Sequence, residues 1–275
     1  MSTVRIALGQ FQASAATRPN LERMVAMGED AARAGAELVV FPELAMAYSL
    51  DGASRSLLAE PLDGPFVGGL RDAARRLGIA VVAGVIEATE GDDGRVHNTA
   101  VAIGTGGELV GAYRKVHMFD AFAHRESEHH RPGDGGLLLF PLSGVTFGVT
   151  ICYDLRFPEL FRALAERGAD AILLPTAWVH GRLKELHLET LARARAIENT
   201  VYFAAADQVG GSHTGNSALY DPMGVTVASI GEQEGLVVGE VDTDRVAEVR
   251  AVLPTLRHVR HDVYDTWRRV PEEVR

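Results

Sequence analysis

The 275-residue chain has one cysteine, Cys152, so it can form no internal disulfide, and its composition suits a reducing cytoplasm. No apolar run approaches the roughly 18 residues of a membrane helix. The opening Met1-Ser-Thr-Val-Arg-Ile-Ala7 lacks the charged stretch and apolar core of a signal peptide. Lysine and arginine are scattered, and the formal charge is -10. A nucleic-acid surface needs a basic face, so none is expected. These absences predict a soluble, cytoplasmic protein whose partners are neither membranes nor nucleic acids. Hydrophobic residues, at 47%, suffice for the core of one large domain or two small ones.

The lone cysteine has a marked position. The apolar run 145–151 reads as a buried strand, and Pro158-Glu159 carries the start signals of a helix. Cys152 therefore falls in the turn between them, where α/β enzymes present reactive side chains. A free cysteine is also among the most buried residue types, and a core role would suit mid-strand better. Around it the chain alternates. Strands are predicted at 4–11, 38–41 and 79–86, with helices between, the first capped by Asn20 and closed by Gly35. The order recurs at 145–151, 171–174 and 201–206. Gly35-Ala-Glu-Leu-Val-Val-Phe-Pro42 matches Gly168-Ala-Asp-Ala-Ile-Leu-Leu-Pro175 in residue type. Two similar α/β halves follow. Turn signals at Asp92-Asp-Gly94, Gly106-Gly107 and Asp221-Pro-Met-Gly224 add antiparallel strands to each. Two such half-sheets, face to face with helices outside, give a four-layer α-β-β-α sandwich.

Glu43 follows the apolar strand 38–41, Lys115 follows the strand at 109–113, and Cys152 follows the third. One charge at a strand end is usually a solvated terminator. Two such charges around one nucleophile candidate are harder to dismiss. If the strands before Glu43 and Cys152 are parallel members of related halves, the two residues share a rim.

Phe41-Pro-Glu-Leu44, Tyr113-Arg-Lys-Val-His-Met-Phe-Asp120 and Ile151-Cys-Tyr-Asp-Leu-Arg-Phe-Pro-Glu159 resemble, in order, the three signature segments of the nitrilase (carbon–nitrogen hydrolase) superfamily. The resemblance extends over nearly the whole chain, as one domain of residues 1–275. It implies the same sandwich, dimers or dimer-based assemblies, and a Glu-Lys-Cys triad, which falls on Glu43, Lys115 and Cys152. A second family glutamate falls on Glu126, within Arg125-Glu-Ser127. Such an enzyme needs no metal or organic cofactor. A thiol is mostly protonated at neutral pH, so Glu43 would serve as its base. Lys115 and the Tyr153 N–H would face the oxyanion, and Glu126 would hold Lys115.

Tyr153-Asp154 after the cysteine resembles the amidase and carbamoylase branches, where true nitrilases carry Trp-Glu. The Cys-Tyr-Asp-Leu-Arg segment and Phe119-Asp-Ala-Phe122 resemble the omega-amidase and deaminated-glutathione-amidase group. Carbamoylases place a carboxylate-binding arginine at the position of Arg156, which implies a small amide bearing a carboxylate. A surface salt bridge with Asp154 or Glu159 is the alternative for Arg156. Tyr48, Phe122, Trp178 and His180 are pocket candidates, and equally packing residues. Three other readings stand beside this one: an N-carbamoyl-amino-acid hydrolase, an inactive scaffold, and a metal site at His117, His124, His129 and His130. Leu155 replaces an arginine usual in carbamoylases. The histidine spacing fits no zinc pattern, so 126–131 reads rather as a solvated lid.

Overall fold

A computed structural model describes residues 2–48, 55–89 and 93–267. The first half comprises β1 (Thr3–Gln10), α1 (Thr17–Arg33), β2 (Leu38–Val40), α2 (Arg55–Leu58), α3 (Pro65–Leu77), β3 (Ala80–Glu87), β4 (His97–Ile103) and β5 (Leu109–Arg114). The second comprises β6 (Leu138–Leu142), β7 (Val145–Val149), α4 (Pro158–Glu166), β8 (Ala171–Thr176), α5 (Lys184–Asn199) and β9 (Tyr202–Asp207), then the short β10 (Val209–Gly210) and β11 (His213–Thr214), and finally β12 (Ala218–Tyr220) and β13 (Thr226–Ser229). β14 (Gly235–Asp242), α6 (Thr243–Val252) and α7 (His261–Trp267) follow. No helix among these residues is long and apolar enough to cross a membrane.

The strands form two main sheets, ordered β14-β1-β2-β3-β4-β5 and β13-β12-β9-β8-β7-β6. β1, β2 and β3 are parallel, as are β7, β8 and β9. Each trio carries one antiparallel strand on one flank and two on the other. The halves are thus alike, as the Gly35–Pro42 and Gly168–Pro175 match predicts. Both of its glycines adopt positive φ, 77° and 94°, to turn the chain from helix into strand. Alternation then builds the layers. Ile6, Leu8, Leu38 and Val40 join Phe147 and Val149 of the opposite sheet in one core. Ala7, Val39 and Val81 face outward onto Met24 and Ala31 of α1 and Phe66 and Leu70 of α3. Phe161 and Leu164 of α4 and Leu188 and Ala192 of α5 cover the second sheet. Each fully buried side chain of this size contributes roughly 1.5–3 kcal/mol. The result is the predicted α-β-β-α sandwich.

The structure departs from expectation in several places. β14 comes last yet completes the first sheet, pairing with β1 from Thr3↔Asp242 to Gln10↔Gly235. Asn20 does not cap α1, which starts at Thr17 with Ala16 at the cap position. Buried instead, its amide donates to Ser14 O (2.9 Å) and Met46 O (3.0 Å), tying α1 to the turn after β2. β8 runs through Pro175, which pairs with Ala206, rather than ending before it. The tail from Thr255, whose sequence has no clear period, forms a 3-10 turn at Thr255–His258 and then α7. The hairpin pairs β3 and β4 as expected, although Asp92 lies outside the described residues.

Candidate active site

The parallel strands of both sheets deliver their ends to one crevice. β2 stops at Val40, and the next turn carries Glu43 inward. This turn is bonded to β3, with Gly84 N donating to Pro42 O (3.1 Å) and Met46 N to Gly84 O (3.1 Å). Lys115 directly follows β5, and Glu126 opens the 3-10 turn Glu126–Glu128. All three are buried, with exposures of 4%, 2% and 4%. Lys115 Nζ lies 2.8 Å from Glu43 Oε1, and 3.0 and 2.8 Å from the two Glu126 oxygens. Asn98 Nδ2 donates to Glu43 Oε1 (2.7 Å) and Glu126 Oε1 (3.0 Å), bridging the carboxylates. Ala177 N–H reaches Glu43 Oε2 (2.9 Å), and Phe119 N–H reaches Glu126 Oε2 (2.7 Å).

An isolated charge here would be very unfavourable, and the mutual pairing offsets that cost. Burial alone would raise the Glu126 carboxyl. The Lys115 ammonium and then His130 outweigh it and bring the group down to about 2. Burial pushes Lys115 down, yet Glu126 and then Glu43 carry its ammonium well above the ordinary lysine range.

Cys152 begins the 3-10 turn Cys152–Arg156 with a φ of 43°. Left-handed backbone in a non-glycine residue costs on the order of 1–3 kcal/mol and persists only where its surroundings enforce it. Here the enforcer is Asp154, fully buried. It accepts from Ile151 N (3.0 Å) and Tyr113 Oη (2.8 Å), with His117 Nδ1 at 2.7 Å. His117 also stacks on Phe157, centroids 3.7 Å apart. The Cys152 turn is therefore fastened to the segment that carries Lys115. Burial, then the Glu43 carboxylate, push the thiol up, against the opposing pull of Lys115. At neutral pH the resting group is a thiol whose proton must be taken.

A cavity of about 380 Å³ opens onto this cluster. It is lined by Glu43, Lys115, Glu126, Cys152 and Tyr153, and also by the predicted Tyr48, Phe122, Trp178 and His180. Tyr48 packs edge-on against His213 (4.4 Å), and His180 pairs with Glu185 (3.1 Å). Arg156 is the exception. It does not line the cavity, and it forms neither expected salt bridge. Its guanidinium lies 5.0 Å over the Trp178 ring, with Nη2 3.4 Å from His187 Nδ1. The 3-10 turn explains this, because it places the fourth residue after the cysteine over the Trp178 ring.

The expected solvated lid is also corrected, since Glu126 and His130 at its ends are buried. The four histidines do not converge. His117 binds Asp154, His124 lines the cavity, and His130 packs beside Glu126. Sequence reasoning missed Asn98, Asp154 and Lys184. Asn98 carried little local signal, since it sits between His97 and Thr99 at the polar start of β4.

Such a crevice, with a thiol beside paired buried carboxylates and an ammonium, defines a thiol hydrolase class. The Carbon-nitrogen hydrolase family profile matches residues 5–251, and the chain belongs to that family. It is 38% identical over 257 residues to the deaminated glutathione amidase of Escherichia coli O157:H7, covering 93% of this chain and 97% of the relative. It is 32% identical to human omega-amidase NIT2 over 276 residues, covering 96% and 98%. Among solved structures, a double mutant of the amidase from Nesterenkonia sp. AN1 in complex with acrylamide superposes with a TM-score of 0.84 at 26% identity, covering 97% and 98%. Another mutant of that amidase holds the acetamide moiety of fluoroacetamide covalently at its active-site cysteine (TM-score 0.83, 26% identity, 97% of each chain). The protein is a hydrolase of amide C–N bonds.

Proposed function

We propose that Cys152, Glu43 and Lys115 act as a triad, with Glu126 positioning Lys115, on a small amide that carries a free carboxylate. The observation that carries this reading is the buried Glu43–Lys115–Glu126 cluster on the wall of the cavity that Cys152 also lines. Sγ attacks the carbonyl carbon while the thiol proton moves to Glu43, so the site's net charge is unchanged. The carbonyl electrons shift to oxygen, between the Lys115 ammonium and the Tyr153 N–H. The C–N bond then breaks, and Glu43 returns the proton to the departing ammonia. A thioester remains. Water, deprotonated by Glu43, attacks it; as the S–C bond opens the acid leaves and Glu43 returns the proton to Sγ. No step calls for a metal or cofactor. The carboxylate preference is supported by the amidase names of the relatives. The carbamoylase alternative is weakened by Arg156, which stays outside the cavity.

Amide hydrolysis releases ammonia and passes through an acyl-enzyme. Rapid quenching with a carboxylated amide is expected to show a mass gain equal to the acyl group, on the peptide containing Cys152. Turnover with no adduct on that peptide, under conditions where deacylation is slowed, would overturn the mechanism. We further take the protein as a cytoplasmic enzyme that works as a dimer or dimer-based assembly. Exposed Val225 and Val227, near exposed Met223 and Ile197, form an apolar surface at the β13 edge that suits self-association. Sedimentation at micromolar concentration is expected to give at least twice the chain mass, and a monomer would refute this.

A further inference from the structure

Lys184 is the first residue of α5, where the helix macrodipole favours an acid rather than a cation. Its side chain is 4% exposed. Nζ sits 4.4 Å over Trp178, 4.8 Å over Phe119 and 5.3 Å over Phe122. Among the described residues, no carboxylate lies within salt-bridge distance of it. The other cavity-lining cations differ. Lys115 is neutralised by Glu43 and Glu126, His180 is engaged by Glu185, and Arg182 is on the exposed rim. Trp178 carries a second cation, since Arg156 lies 5.0 Å over its ring, likewise without a carboxylate among the described residues. One buried Arg156 nitrogen, Nε, has no hydrogen-bond partner there.

Two cations contact the one indole of the cavity wall, and neither forms a salt bridge among the described residues. Aromatic faces hold a cation but do not cancel its charge, since a cation–π contact returns about 0.5–2 kcal/mol. Buried cations are ordinarily paired, so the missing anion is a feature of the site. The same cavity is lined beside Cys152 by Glu43 and Glu126, whose carboxylates disfavour a second carboxylate there. A bound molecule carrying both an amide and a carboxylate can enter in only one sense, with the amide at the thiol and the carboxylate at Lys184.

We propose that Lys184, caged by Trp178, Phe119 and Phe122, binds the substrate's distal carboxylate and so sets the preference for acidic amides. Arg156, over the same Trp178 ring, acts as a positioning residue. This deepens the amidase reading above and rests on it.

The test compares initial rates on glutaramic acid, a monoamide with a distal carboxylate, and on glutaramide, its neutral counterpart. Wild type is expected to favour the acid. A hydrogen bond to a charged group contributes about 1.5–3 kcal/mol, so Lys184→Met is expected to lower the acid-to-neutral ratio of kcat/KM by about 10- to 100-fold. The loss should fall mainly in KM for the acid. Lys184→Arg should retain most of the preference. Lys184→Glu should turn it toward an amide ending in an ammonium group. Because Lys184→Met could also lose its packing, each variant's melting temperature is measured beside its rates. A wild type with no preference for the acid, or a Lys184→Met ratio within twofold of wild type in a folded protein, overturns the assignment while leaving amide hydrolysis intact. If wild type releases ammonia from neither compound, the amidase reading falls and takes this inference with it.

Discussion

Lys115→Met is expected to reduce kcat/KM for amide hydrolysis by about 1,000-fold and to invert the dependence of stability on pH. The rate loss follows from removing the proposed oxyanion donor. Methionine has a similar length and no charge, so the cavity's shape changes little. The stability effect has a separate origin. In the wild type, the ammonium lies between Glu43 and Glu126, at 2.8 Å from each. Without it two buried carboxylates face each other, and breaking a buried pair in this way costs about 3–5 kcal/mol at neutral pH.

The pH response separates this account from simple damage to packing. Wild-type Glu126 is held at about 2, below its ordinary 4.5. A depressed acid contributes stability that is fully present above the unfolded value and is lost as pH falls through the folded one. Wild-type stability from this group therefore declines between about pH 4.5 and 2. In the variant the largest pull against burial at Glu126 is gone, leaving only His130 and the Phe119 N–H, so that carboxyl rises. A raised acid is most stabilising at low pH, and that contribution is lost as pH rises. Urea midpoints measured from pH 3 to 8 should show the gap between variant and wild type narrowing toward acid. Parallel curves, or a variant retaining a tenth of wild-type activity, would contradict the role given to Lys115.

The residues we assign to the chemistry were legible where local pattern and site coincide. Glu43, Lys115 and Cys152 each follow a strand, and parallel strands of a sandwich deliver their ends to one crevice. The positions of Glu43 and Cys152 therefore pointed to a shared rim, whereas Lys115 joined them through the resemblance. Glu126 was legible only through resemblance, because nothing local says that an acid in a polar run is buried. Arg156 was misplaced because spacing along the chain does not reveal a 3-10 turn. Asp154 builds that turn through bonds to Tyr113 and His117, some forty residues away. β14 could not be seen because its partner is at the other end of the chain. Lys184 was overlooked although it broke a local rule, with a cation opening a helix. Such violations concentrate at functional sites.

Gly84→Ala is expected to cost about 3 kcal/mol in stability and on the order of 100-fold in kcat, although the residue touches no substrate. Gly84 lies within β3, beside the turn that carries Glu43. A methyl group on it would lie 2.5 Å from Leu44 N, 2.5 Å from Pro42 O and 2.6 Å from Glu43 Cα. All three are backbone atoms, so no side chain can swing aside. Either β3 or the Glu43 turn must move, and the two are bonded to each other. Glu43 is fixed by Lys115, Asn98 and Ala177 N–H at 2.7–2.9 Å, so moving its backbone by a few tenths of an ångström strains all three bonds. Gly68→Ala is the control. It lies inside α3 with nothing within 4 Å of the added methyl, and alanine there should stabilise by about 0.5–1 kcal/mol with unchanged kinetics. Thermal melts and kcat/KM for both variants decide the matter. A Gly84→Ala enzyme with wild-type melting and wild-type turnover would mean that the close approach of β3 does not hold Glu43 in place.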